Sequence, residues 1–580
     1  MPSDLQLSIG QFSDKGRKDI NQDFYGALVP DEPLRALKGI AVVLADGISS
    51  SAVSQIASES AVKSFLTDYY CTSETWSVKT SARRVIAATN SWLHAQTRRS
   101  HHRYDADKGY VCTFSAIVFK AATAHLFHIG DCRIFRLTGS SLEQLTEDHR
   151  VRVSSEQSYL GRALGVNADV EIDYQSCEIG RGDIFVLATD GVYEYVSDRF
   201  MADTIGGATD DLDGAASLIV EEAFRNGSTD NLTVQIVRVD TVAQGGMGEL
   251  PLHLVTLPPP PLLEARMTLD GYRIVREIHA SSRSHIYLAE DIEGGDVVVL
   301  KIPSIDLRDD ADYVRRFMME EWIARRVNSP HVLKPRSQSR RRTCLYVVME
   351  FIDGQTLTQW MIDHPQPELE EVRVLVEQIA AGLRAFHRRE MLHQDLRPEN
   401  IMIDRTGTVK IIDFGSVRVA GVAELSGYRH DSDMLGTQQY SAPEYFDGEG
   451  GSPQADQFSL GVIAYQMLTG RLPYGARLAR APGKSQRSKL RYTPATDTHP
   501  AIPGWVDRTL QRAVSLNPLK RYAALSEFVF DLRHPNASYL DTRPVPLLER
   551  NPLMFWKGVT LVLAVVVVGL LAAMHRRGLW

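Results

Sequence analysis

Cysteine is scarce in this 580-residue chain: Cys71, Cys112, Cys132, Cys177 and Cys344 are scattered, odd in number and without metal-ligand spacing. That argues against a disulfide framework or a zinc module and points to reduced thiols in cytosol. Neither charge sign dominates. The formal net charge of −8 gives no reason to invoke nucleic acid or an anionic surface as a partner. Met1-Pro2-Ser3-Asp4 has no basic stretch leading into an apolar run, so no signal peptide is expected. No internal repeat is evident, and long hydrophobic runs are missing until the end of the chain. There, Gly558 to Met574 are apolar or small, and adding Leu553-Met554-Phe555-Trp556 gives about 22 residues, or roughly 33 Å of helix against a bilayer core of about 30 Å. Lys557 can snorkel and Trp556 suits an interface. The expectation is a membrane-spanning helix over 553–574 that anchors the chain with its other domains cytoplasmic; a buried core helix is the alternative.

What is present is ordinary globular composition, 44% hydrophobic and 23% charged, in a chain too long for one core. Gly39 to Ala45 and Asp183 to Thr189 are continuous apolar runs, read as buried strands. Thr123 to Ile129 and Arg133 to Leu137 flank Gly130-Asp131-Cys132 as an expected hairpin. Ala52 to Leu66 and Ser81 to Thr97 have helical spacing. Between 241 and 268 the pattern stops, and Gly245-Gly246 and Pro258 to Pro261 read as a linker with a stiff polyproline segment. An αβ pattern resumes from 269 to 535, strand-rich first and helix-rich later. The expected divisions are thus 1–240, a linker at 241–268, 269–535, a juxtamembrane segment at 536–552, the helix at 553–574 and a tail at 575–580.

In the first division carboxylates recur at the ends of apolar strands: Asp23, Asp46-Gly47, Gly130-Asp131, Asp190-Gly191 and Asp230-Asn231. A pair of hard divalent cations needs several carboxylates converging from separate strands. Any single Asp-Gly is chiefly a turn dipeptide, but the order and flanks are specific. Ser13 to Asp23, Val43 to Gly47, His128 to Arg133, Leu164-Gly165, Ala188 to Gly191 and Gly227 to Thr233 resemble the metal-dependent Ser/Thr protein phosphatases of type 2C. The resemblance implies a β-sandwich flanked by helices, with Mn2+ or Mg2+ held by Asp23, Asp46, the Gly47 carbonyl, Asp190 and Asp230. Asp131 would serve a further, weaker ion. It also implies attack on phosphorus by a metal-activated water. Where the family usually has a phosphate-gripping arginine this chain has Lys18, with Arg17 beside it. Lysine lacks the bidentate fork, so either residue could serve.

The second division holds Lys301 after Val297 to Leu300, then His393 to Asn400, then Asp413-Phe414-Gly415, and it resembles the eukaryotic-like bacterial Ser/Thr protein kinases, a two-lobed fold. That resemblance implies Lys301 on the ATP phosphates and Glu320 as its ion-pair partner, Glu321 being the less favoured choice. Asp395 would orient the substrate hydroxyl, Arg397 would face phosphate, and Asn400 and Asp413 would hold Mg2+. Glu350 and Ile352 would lie against the nucleotide. Glu444 and Arg521 would form a buried pair bracing the activation segment. Two departures stand out. His279, Ser281 and Ser284 occupy the places of the three glycines in the nucleotide loop, and Gln394 replaces the usual arginine.

The expectation is a multidomain α+β chain: a type 2C sandwich, a two-lobed kinase and one C-terminal transmembrane helix. It would act on protein Ser/Thr side chains in both directions, with ATP as phosphoryl donor. Its own sites Ser416, Ser426, Ser432 and Thr437 would be among the substrates, reached across a tether of about 28 residues spanning roughly 30 Å. The alternative keeps the phosphatase and treats the kinase fold as a nucleotide-sensing scaffold.

Overall fold

Ile40–Ala45 is buried along its whole length, which explains why it reads as an unbroken apolar run. Strand side chains alternate between faces. Ala41, Val43 and Ala45 pack outward on the helices Ser54–Cys71 and Val78–Arg99, while Ile40, Val42 and Leu44 pack inward on Phe185, Leu187, Val237 and Val239. The structure is a computed structural model that describes residues 5–152, 158–208, 211–242, 257–307, 310–336, 340–426, 439–447, 451–478, 484–487, 489–540 and 552–576.

The N-terminal half is a sandwich of two five-stranded antiparallel sheets. One runs Asp173–Glu178, Thr123–Ile129, Phe114–Lys120, Ile40–Ala45, Phe24–Leu28; the other runs Gln6–Asp14, Leu232–Thr241, Ile184–Ala188, Arg133–Thr138, Ser141–Gln144. Asp198–Gly207 and Leu212–Arg225 cover the second sheet. The expected hairpin at 123–137 is not one. Thr123–Ile129 pairs within the first sheet and Arg133–Thr138 within the second. Gly130, at φ 112°, turns the chain from sheet to sheet, and a Cβ there would sit 2.6 Å from Thr113 Cβ.

The C-terminal half has two lobes. A five-stranded antiparallel sheet, Thr268–Leu269, Tyr272–Ala280, Ser284–Asp291, Val297–Pro303 and Val347–Glu350, carries the helix Ala311–Arg326. A larger lobe is built on Leu369–His387 and Pro453–Thr469, the first opened by a capping box of Glu368 and Glu371 and the second closed by Gly470 at φ 67°. Part of the expected linker belongs to this half: the Pro258 carbonyl accepts from the Leu345 N–H at 2.9 Å, and Leu263 lies in the small-lobe core.

The two halves also touch directly, through residues 74–80 and Lys120 of the first and Arg326, Arg388, Glu390, Gly421 and Glu424 of the second.

The helix Pro552–Arg576 forms as the apolar run predicts. No helix among the described residues is long and apolar enough to cross a membrane. The expected membrane anchor, and the membrane localisation drawn from it, are overturned on that finding.

Candidate functional site

Two clusters of charged side chains form, one in each half. In the first, Asp46 follows the buried strand Ile40–Ala45 and its N–H donates to Thr113 Oγ1 at 2.8 Å. Asp23 precedes the strand Phe24–Leu28, and its Oδ2 accepts from Thr233 at 2.6 Å and Thr189 at 3.1 Å. Both threonines come from the second sheet, so the two sheets together fix this carboxylate. Asp190 opens a short helix after Ile184–Ala188, and the neighbouring Gly191 has no room for a side chain: a Cβ would meet the Asn231 carbonyl at 2.1 Å. Asn231 ties the cluster together, accepting from the Gln22 N–H and donating to the carbonyls of Lys15 and Ile20.

The carboxylates crowd one another. Burial, then the charges of Asp23, Asp190 and Asp131, pushes Asp46 well above the usual carboxylate range. Burial raises Asp23 to about 6, with the Thr233 hydroxyl pulling the other way, and burial with the charges of Asp131 and Asp230 raises Asp190 to about 7. Asp23 Oδ1 is buried without a hydrogen-bond donor among the described residues. An all-oxygen donor set with an orphaned buried oxygen fits hard divalent cations.

Among the described residues, however, no three His, Cys, Asp or Glu side chains stand ready to hold a metal ion. A residue that the sequence did not single out accounts for part of this. Arg150 donates to Asp131 at 2.7 Å, to Asp190 at 2.8 Å and to Glu194 at 2.6 Å, so a guanidinium already sits on two of the expected ligands. No motif signal marks it.

Of the two candidate phosphate-binding cations, Lys18 reaches the cluster: its ammonium lies 3.2 Å from Asp230 Oδ1 and donates to Ser49 Oγ. Arg17 instead lies over the Phe224 ring, 5.3 Å from its centre. Gly47 is held by its N–H to the Gln22 carbonyl, and a Cβ there would lie 2.9 Å from that oxygen and from Ser54.

In the second half Lys301, on Val297–Pro303, donates to Glu320 at 2.5 Å and lies 3.5 Å from Asp413. Burial works against the ammonium, but the Asp413 and Glu320 carboxylates overcome it and raise its pKa; Lys301 in turn holds Asp413 below the usual range. Glu321 points elsewhere, to Arg325 and Arg342. Asn400 Nδ2 donates to the Asp395 carbonyl at 2.9 Å and its carboxylate at 3.3 Å, while Arg397 pairs with Glu399. Behind them, buried Asp456 accepts from the N–H groups of His393 and Gln394 and lies 2.8 Å from His387 Nε2. Gln394 sits at φ 64°, a left-handed conformation that these two bonds stabilise. Arg521 grips Glu444 with two bonds, 2.6 and 2.8 Å, as the sequence predicts.

The nucleotide-side hairpin closes without glycine. Ser281 Oγ accepts from the N–H groups of Arg283 and Ser284 and donates to the Ser284 carbonyl, and no residue from 279 to 286 has a positive φ. His279 lies in the strand, paired with Ile286. Glu350 is engaged through its carboxylate by Lys410 and the Lys334 N–H, and Ile352 is buried in the large core.

Residues 13–221 match the protein phosphatase 2C family and residues 272–528 the protein kinase domain family. The chain is 27% identical over 263 residues to the serine/threonine-protein kinase PrkC of Bacillus subtilis, covering 45% of this chain and 40% of that one. It is 30% identical over 262 residues to PknL of Mycobacterium tuberculosis, covering 45% of this chain and 64% of that one. It therefore spans less than two thirds of either relative. A crystal structure of the Mycobacterium tuberculosis serine/threonine phosphatase PstP is matched at 24% identity and a TM-score of 0.35, over 40% of this chain and 99% of that one.

Proposed function

We propose that this chain, which joins a protein phosphatase 2C domain to a serine/threonine protein kinase domain, works in both directions on Ser and Thr side chains of proteins. The observation that carries the reading is the Lys301 ammonium set between Glu320 and Asp413, beside an Asp395 held by Asn400, in a chain that also gathers Asp23, Asp46 and Asp190. In the kinase, Lys301 binds the ATP phosphates and Glu320 keeps it aimed. Asp395 accepts the hydrogen bond of the incoming hydroxyl, Arg397 offers positive charge to the phosphoryl group, and Asn400 and Asp413 hold Mg2+. In the phosphatase, Asp23, Asp46, the Gly47 carbonyl, Asp190 and Asp230 hold Mn2+ or Mg2+, with Asp131 beside them, and Lys18 rather than Arg17 approaches the phosphate. Such ions, when bound, neutralise phosphoryl oxygens and lower the pKa of bound water.

The chain's own phosphosites are among the substrates, and a second copy removes them. The domain contact lies at the Lys38 and Lys120 ends of the strands, whereas Asp46 and Thr113 mark the other end. Seven residues of strand separate these ends by roughly 23 Å. The carboxylates thus lie at the end of the strands remote from the docked kinase. Ser416 follows Asp413-Phe414-Gly415 directly; Ser432 and Thr437 lie outside the described residues, as does the Ser426 side chain.

The test supplies labelled ATP to the full chain and follows ADP release, which dephosphorylation does not mask. Asp413→Asn should abolish ADP release, and Asp190→Asn should abolish hydrolysis of a phosphothreonine peptide in Mn2+. Absence of ADP release from wild type sinks the kinase half of the reading. The glycine-free hairpin favours one alternative, a kinase fold that only binds nucleotide. Saturable Mg-ATP binding without ADP release would establish it.

A further inference from the structure

The phosphatase domain touches the kinase at the elements on which its ion pair depends. Glu74 accepts two bonds from Arg326, in the last turn of the helix that carries Glu320. Lys120, with a fully buried side chain, donates to the Gly421 carbonyl at 2.6 Å and to Glu424 at 3.0 Å. Gly421 and Glu424 follow Asp413 by only eight and eleven positions. The Gly421 N–H donates to the Thr75 carbonyl at 3.0 Å, and a Cβ on Gly421 would lie 2.7 Å from the Trp76 carbonyl, so the backbones meet where only glycine fits.

Two kinase carboxylates complete the N-terminus of a phosphatase helix. Ser77 caps Val78–Arg99, and the Ser77 N–H and hydroxyl donate to Glu390 at 2.7 and 2.9 Å. Thr80 donates to Glu390 at 2.5 Å, and the Val78 N–H is shared between the two Glu424 oxygens at 3.1 and 3.2 Å. A helix N-terminus favours anions, and here the anions belong to the other domain. Glu390 lies five residues before Asp395, and its carbonyl accepts from the Ala420 N–H. Residues 74–80 therefore bridge the Glu320 helix, the approach to the catalytic loop and the start of the activation segment.

We propose that Glu74 and Lys120 of the phosphatase domain are positioning residues for the kinase, holding the Glu320 helix and the 420–424 segment in the arrangement that pairs Lys301 with Glu320. Alignment of that helix and that segment is what makes a protein kinase competent. Here the brace is an enzyme of the opposite activity, and it works through a face remote from its own carboxylates. The inference rests on the kinase reading above.

The test uses the full chain and the variants Glu74→Lys and Glu74→Gln. Four readouts are followed: kcat and KM for ADP release, hydrolysis of a small phosphoester in Mn2+, and backbone hydrogen exchange over 311–326 and 417–426. Glu74→Lys should lower kcat at least tenfold, Glu74→Gln should lower it less, and KM for ATP should change less than kcat. Exchange should rise in both segments. Phosphoester hydrolysis should stay within twofold of wild type, which shows that the phosphatase domain is folded. ADP release within twofold of wild type, or above it, with exchange unchanged would overturn the brace. If wild type releases no ADP the kinase reading fails by itself, and exchange still decides the contact: faster exchange in Glu74→Lys upholds it and equal exchange refutes it.

Discussion

The ammonium of Lys120 lies 3.0 Å from the carboxylate of Glu424, two residues 304 positions apart in the chain and in different domains. The lysine side chain is fully buried and the glutamate largely so. Taking one partner from a buried pair leaves the other uncompensated, at a cost of about 3–5 kcal/mol in such cases. Glu424→Gln alone should therefore lower the first thermal unfolding midpoint more than the double variant Lys120→Met with Glu424→Gln. Equal midpoints would show that Lys120 gains its stability from the Gly421 carbonyl instead.

At the carboxylate cluster, Arg150 and a divalent cation call on the same oxygens of Asp131 and Asp190. Arg150→Ala should lower the Mn2+ concentration needed for half-maximal phosphatase activity severalfold, because the competing guanidinium is gone. Asp190→Asn should lower activity by roughly 100-fold or more at any Mn2+ concentration. A Mn2+ titration of the three proteins separates these effects. A higher Mn2+ requirement in Arg150→Ala would make Arg150 an organiser of the ligands and not their competitor.

Much of this was legible in the sequence because strand ends and the carboxylates placed at them are local patterns. The run Gly39 to Ala45 announces a strand buried on both faces, and the spacing from Lys301 to Glu320 to Asp413 is met by the 2.5 and 3.5 Å contacts. What was not legible is long-range. Arg150 reaches Asp131, Asp190 and Glu194 from a segment with no distinguishing pattern. The domain contact joins ordinary surface-type residues such as Glu74 and Arg326, 252 positions apart. The hairpin reading at 123–137 failed because Gly130 serves equally for a tight turn and for a crossing between sheets, and only tertiary packing chooses.

Buried His125 should work against the folded N-terminal domain as pH falls, opposite in sign to Asp23 and Asp190, whose raised pKa values favour the folded state on acidification. Burial, helped by the charge of Lys120, lowers His125 from 6.5 to about 4, and its buried Nε2 has no hydrogen-bond partner among the described residues. Folded His125 stays neutral while the unfolded chain takes up a proton, so the contribution of this residue to stability falls as pH drops from about 6.5 toward 4. The full effect is roughly 3 kcal/mol. His125→Phe keeps a ring beside Tyr174 and removes this proton uptake, so its unfolding midpoint should rise relative to that of wild type as pH falls through that window. A difference that stays constant with pH would refute that contribution.

If a chain's own phosphosites are among its substrates, as proposed, either its own phosphatase domain or that of a second copy removes them. A free tether would let each phosphatase reach its own activation segment, and loss of label would then be first-order. Two findings oppose a free tether. Residues 257–263 are already packed on the small lobe through Pro258 and Leu263, and the phosphatase is held to the kinase by Lys120, Glu74 and the capped helix. In that arrangement the carboxylates lie at the far end of the strands, roughly 23 Å from the contact. Label should therefore leave pre-phosphorylated wild type at a rate per chain that rises with protein concentration. Mixing should show the same: labelled Asp190→Asn, which cannot dephosphorylate itself, should lose its label when unlabelled wild type is added. Loss that is independent of dilution, together with stable label on Asp190→Asn in the mixture, would mean that the domains undock and that each chain acts on itself.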